Sequence, residues 1–106
     1  MKNILVILSL LFSTALFAQD VTVIQVNAEW NSANTRLDLD QLTGCTYQFG
    51  WLKHQPQNVQ DELLSVPVVF ILKDGKVVKK HQAGISLKLK ISLEEIQQEI
   101  NAIKED

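Results

Sequence analysis

The stretch VIQVNAEWNSANT, Val23 to Thr35, decides how the chain is read. With Val21 ahead of it, Val23, Ile24, Val26 and Ala28 form a nearly continuous apolar, β-branched run. That composition suits a strand buried on both faces in the middle of a sheet. After Glu29-Trp30, Asn31 or Ser32 can cap a short helix, with Leu37, Leu39 and Leu42 as its apolar residues and Thr43-Gly44 as its end.

Working outward, Cys45, Tyr47, Phe49 and Trp51 share one parity and Thr46, Gln48 and Gly50 the other, the period of a half-buried strand. Gln55-Pro56-Gln57 interrupts it. A brief amphipathic helix over 57–64 is then expected to pack Val59, Leu63 and Leu64 inward, and Ser65-Val66-Pro67 ends it because the residue before a proline is pushed out of helical geometry. Val68 to Leu72 (VVFIL) reads as a second fully apolar strand. Asp74-Gly75 supplies the positive backbone angles of a two-residue hairpin turn, and 77–82 returns antiparallel as an edge strand guarded by lysines. Ser92 and Glu95 form a capping-box pattern ahead of Leu93, Ile96, Ile100 and Ile103, an apolar stripe on one helix face. Strands joined by a helix lie parallel with a right-handed crossover, so the order predicts a mixed four-stranded sheet with helices on both faces, βαβαββα.

The first residues carry a different signal. Lys2 precedes an apolar run of 14 residues, Ile4 to Phe17, and then Ala18-Gln19-Asp20. This is the layout of a signal peptide spanning 1–18, too short for the roughly 20 residues of a membrane helix. Cleavage after Ala18 predicts an exported protein, periplasmic or secreted, with one domain over 19–106 and no membrane association afterwards. Without Lys2, nine basic side chains stand against twelve acidic ones. A net charge near −3 argues against a nucleic-acid partner. Export places a chain where disulfides form, yet Cys45 is the single cysteine, so no intramolecular bridge is possible. Cys45 is read as a small buried hydrophobe, with a mixed disulfide or a dimer link as the alternative.

The element order, together with AEWNSAN, SVPVVFILKDGKVV and Ala83-Gly84, resembles the thioredoxin family over nearly the whole mature chain, beginning at that family's central strand. The resemblance places the family's two redox cysteines on Asn31 and Asn34, its cis-proline on Pro67 and its buried acid on Gln25. None of these replacements ionises at neutral pH. Thiol–disulfide exchange needs a thiolate attacking sulfur, and an amide supplies neither nucleophile nor leaving group. Cys45 cannot substitute, because it starts the second strand, on the order of 25 Å from the relevant strand ends. The resemblance implies a redox-inactive binding or assembly module with no cofactor. Its docking surface would be Trp30, Asn31, Ser32, Asn34, Val66 and Pro67, where the family pairs an extended peptide with the backbone beside the cis-proline. Asn31 and Asn34 also admit a plain reading as helix caps.

Other chemistry finds little support. His54 and His81 are the only imidazoles, without metal-ligand spacing, so no metal is expected. Ser32, Ser65 and His54 come without a nucleophile-elbow motif or an orienting carboxylate. One segment departs from the compact family pattern: ISLKLKIS, 85–92, alternates Ile85, Leu87, Leu89 and Ile91 with Ser86, Lys88, Lys90 and Ser92. It reads as an extended arm packed on the domain or as a strand that joins another chain, including a second copy in a homodimer.

Overall fold

The computed structural model describes residues 21–105, so the expected signal peptide, 1–18, and the expected start of the domain at 19 lie outside the described residues. Four strands, β1 (Val21–Asn27), β2 (Thr46–Trp51), β3 (Val68–Lys73) and β4 (Lys76–Gln82), form one sheet in the order β2-β1-β3-β4. β1 runs parallel to β2 and antiparallel to β3, which pairs antiparallel with β4. The α-helices are α1 (Gln57–Glu62) and α2 (Leu93–Glu105). All seven β1 residues are buried, as its unbroken apolar run requires.

Alternation along β1 and β3 divides the core. Val21, Val23, Val69 and Ile71 pack with Leu39, Leu42, Leu89 and the α2 residues Ile96 and Ile100. On the opposite face Ile24, Val26, Val68, Phe70 and Leu72 pack with Val59 of α1. Each such side chain contributes about 1.5–3 kcal/mol on burial, so these two layers dominate the stability of the sheet. The hairpin turns as its sequence demands, with Asp74 at φ 53° and Gly75 at φ 83°. The Ser92 hydroxyl caps α2 by accepting the Glu95 amide at 3.1 Å, and it donates to the Glu95 carboxylate at 3.4 Å.

Three segments differ from expectation. The link between β1 and β2 holds two 3-10 turns, Glu29–Asn34 and Leu39–Gln41, in place of an α-helix, and neither has a side-chain cap. From Ser32 to Arg36 there is no large apolar residue to anchor a helix face, and Ser, Asn and Thr compete with the helix by hydrogen-bonding backbone locally. Leu37 is exposed, and of the three predicted apolar positions only Leu39 and Leu42 enter the core. α1 stops at Glu62, two residues early, which turns Leu64 out to solvent. Residues 85–91 form no strand. Leu87 bends at φ 61° with its amide donating to the Gly84 carbonyl at 3.0 Å, which breaks the alternation and sends Leu89 into the core while Ile85 faces water.

Candidate functional site

The carboxyl ends of β1 and β2 and the amino end of β3 meet at one end of the sheet, because Asn27 pairs with Trp51 and Val26 with Val68. Residues 28–34, the cis Val66–Pro67 bond and the exit of β4 at Ala83-Gly84 therefore cluster there. Ala83 is held against the proline loop by its amide, which donates to the Pro67 carbonyl at 3.0 Å.

Side-chain amides are wired together at this end. Asn31 is buried, and its Nδ2 donates to Asn27 Oδ1 at 3.1 Å, to the Val66 carbonyl at 3.3 Å and to the Leu87 carbonyl at 3.1 Å. Asn34 Nδ2 donates to Asn31 Oδ1 at 2.8 Å. Asn27 Nδ2 donates to the Asn31 carbonyl at 3.0 Å and to Thr35 Oγ1 at 2.8 Å. Further back along β1, Gln25 clamps Arg36 from both sides: Nε2 donates to its carbonyl at 3.0 Å and Oε1 accepts its amide at 2.9 Å, while Nε2 also donates to Tyr47 Oη at 2.8 Å. Buried amides are tolerable only when their donors and acceptors find partners, and here they do.

Asn31 and Asn34 therefore do not cap a helix, since both donate to oxygen rather than accept from backbone N–H. Asn31 pins three separate segments together. Among the expected docking residues Trp30 and Ser32 are exposed and Asn34 half-buried, whereas Asn31, Val66 and Pro67 are buried. The exposed apolar surface here comes from Trp30 at 70 %, Leu64 at 85 % and Ile85 at 102 %. Leu64 escaped the sequence reading because helical periodicity assigned it to a packed face, whereas Ile85 belongs to the alternating segment read either as a packed arm or as a strand that joins another chain.

Chemically the cluster is neutral. Arg36 nearby is consumed by Asp38, with Nε and Nη2 on its two carboxylate oxygens at 3.0 and 2.9 Å, and by the Ile91 carbonyl. That pairing holds the Asp38 carboxyl below its ordinary range. Beside it Phe49 and Trp51, expected inward, line an open groove of about 370 Å³ with Tyr47, their rings edge to face at 4.8 Å. The groove exists because no α-helix covers this part of β2. His54 is exposed, and no cluster of metal-ligating residues occurs among the described residues.

Cys45 lies before β2 at the opposite end from Asn31, packed half-buried against the α2-side core. Burial pushes its thiol above the ordinary range, with Lys104 offsetting part of the shift. Labelling by a thiol reagent at about pH 8 is therefore expected to be at least roughly ten-fold slower in the folded protein than in urea, since the thiolate is the reactive form. Equal rates would show that Cys45 is an accessible nucleophile.

No family model matches the chain, and no curated protein matches it. Solved structures do. A mutant thioredoxin from Halobacterium salinarum superposes with a TM-score of 0.65 at 14 % identity, over 84 % of this chain and 79 % of that one. Thioredoxin f from spinach chloroplast gives 0.63 at 12 % identity, over 98 % and 94 %. Oxidised thioredoxin from Plasmodium falciparum gives 0.52 at 15 % identity, over 87 % and 88 %. The chain has the thioredoxin-like fold, with the expected mixed four-stranded sheet.

Proposed function

We propose that this chain is an exported binding or assembly module on a thioredoxin-like fold, one that holds an extended peptide or protein segment at the Trp30–Pro67 end and performs no dithiol chemistry. The observation that carries this reading is the exposure of the large apolar side chains Trp30, Leu64 and Ile85 on the segments that adjoin a neutral, hydrogen-bonded amide cluster. Large apolar groups left in water around one site mark interaction surfaces more often than chance exposure does. A site built for redox turnover needs an ionisable sulfur, and Asn31 and Asn34 offer none. Asn31 donates to the Val66 carbonyl at 3.3 Å and leaves that oxygen one further lone pair, so the exposed apolar side chains supply most of the surface a partner would meet. The alternative, a mixed disulfide or dimer through Cys45, is opposed by the direction in which burial moves its thiol.

The test is a peptide titration followed by amide shifts. Extended peptides with apolar residues should perturb residues 28–30 and 83–85, and Trp30→Ala with Ile85→Ser should weaken binding by at least about ten-fold. Both positions are exposed, so the fold should survive. Insulin reduction by the wild type should match buffer. Turnover that disappears in Cys45→Ser, or binding untouched by the double substitution, would overturn the proposal.

A further inference from the structure

The two edges of the sheet are built differently. β4 carries Lys76, Lys79 and Lys80 and a bulge, since Lys79 pairs with Ile71 but Val77 with Leu72. Charge and irregularity are the devices by which edge strands avoid pairing with other chains. β2 forms the opposite edge with TYQFGW, which has no charged residue and no proline and keeps an unbroken register with β1 from Thr46 to Trp51. No strand among the described residues pairs with its outer side. Its side chains are half-buried rather than covered. Tyr47, Phe49 and Trp51 lie opposite Val23, Gln25 and Asn27, on the α2 side of the sheet, and with the exposed Leu37 they line the groove of about 370 Å³.

We propose that the outer edge of β2 binds a second copy of this chain, antiparallel about a two-fold axis, joining the two four-stranded sheets into one. The parity of β2 favours its own copy. Only alternate residues of a strand point their N–H and C=O groups toward a given neighbour, so two copies of one strand pair antiparallel with residues of like parity opposite each other. Centred on Gln48, such a pairing sets Tyr47 against Phe49 of the second copy. Centred on Phe49, it sets Phe49 against itself and Tyr47 against Trp51. In both registers aromatic rings meet across the strands on one face, a stabilising cross-strand pair. A two-fold axis also sets any charge near it against its like, which destabilises a strand pair, and β2 has none to oppose. A foreign strand fits less well, because an unlike partner is selected by complementary charge and β2 presents none. This edge is separate from the Trp30–Pro67 end, and the inference stands apart from the peptide reading.

Sedimentation of the natively processed protein should show a monomer–dimer equilibrium with a dissociation constant of about 100 μM or tighter. Amides of alternate β2 residues should exchange with solvent slowly in the dimer and at least about ten-fold faster on dilution to monomer. Phe49→Lys places a like charge at the axis or one residue pair from it in either register, and should raise the dissociation constant at least about ten-fold. Phe49 belongs to neither core cluster, so that variant should fold. Ile85→Ser, on the exposed loop after β4, should leave the dimer unchanged. A monomer at about 1 mM would overturn the proposal. So would a dimer that Ile85→Ser dissociates and Phe49→Lys does not, or one whose β2 amides exchange at the same rate at every dilution. Slow exchange of those amides in a monomer would also overturn it, by assigning the edge to residues 1–20 of the same chain.

Discussion

Replacing Gln25 with glutamate is expected to leave a fold that is stable at about pH 4 and loses about 2–4 kcal/mol by about pH 8. Gln25 is wholly buried and works in both directions, accepting from the Arg36 amide and donating to the Arg36 carbonyl and Tyr47 Oη. A protonated carboxyl keeps one donor for the Arg36 carbonyl. An ionised one sets a bare oxygen against that carbonyl in a site that water does not reach. Donation from the Arg36 amide and the Tyr47 hydroxyl favours the charged form, but full burial outweighs two hydrogen bonds, so the carboxyl is raised above its unfolded value of about 4.3. The native state then holds a proton that the unfolded state has released. Stability is complete below the unfolded value and falls as pH rises through the folded one. Urea midpoints across pH, with wild type as reference, measure this. A profile parallel to wild type would mean that the clamp on Arg36 does not hold position 25 in the dry interior.

The contrast between local and distant interactions explains what was legible in the sequence. β1, β3, the Asp74-Gly75 turn and α2 are announced by patterns a few residues wide, and the sheet order follows from their connections. The two linking segments are held instead by contacts that no local pattern shows. Gln25 grips Arg36 eleven residues away, and Asn31 reaches Leu87 at a separation of 56. Leu87 and Leu89 look alike in an alternating string, yet one turns through a positive φ and the other enters the core. Asn31 and Asn34 drew notice as the positions where a thioredoxin carries sulfur. That their amides face carbonyl oxygens, and knit the loop after β4 to the proline loop, could be found only in three dimensions.

That geometry makes the substitution Asn31→Cys, Asn34→Cys informative in an unexpected direction. The two side chains already meet, with Asn34 Nδ2 and Asn31 Oδ1 at 2.8 Å, and positions three apart on a helical turn lie within the roughly 4.4–6.8 Å between Cα atoms that a disulfide tolerates. Oxidised glutathione should therefore close the bridge in the folded protein. Turnover is another matter. A reactive thiolate needs N–H donors or positive charge around its sulfur. Apart from Asn34, which the substitution removes, the side-chain partners of Asn31 are the Val66 and Leu87 carbonyls and Asn27 Oδ1, all acceptors that repel a thiolate. Position 31 is also only 5 % exposed, which bars an attacking substrate disulfide. The variant should close its bridge yet reduce insulin no faster than buffer, and Gln25→Asp added to it should not restore activity, because proton transfer is not what limits it. Failure of the folded variant to form the bridge would remove Asn31 and Asn34 from the family's cysteine positions. Rapid insulin reduction would show instead that the loop over Asn31 opens readily, and that the amide cluster is a weaker lock than its hydrogen bonds imply.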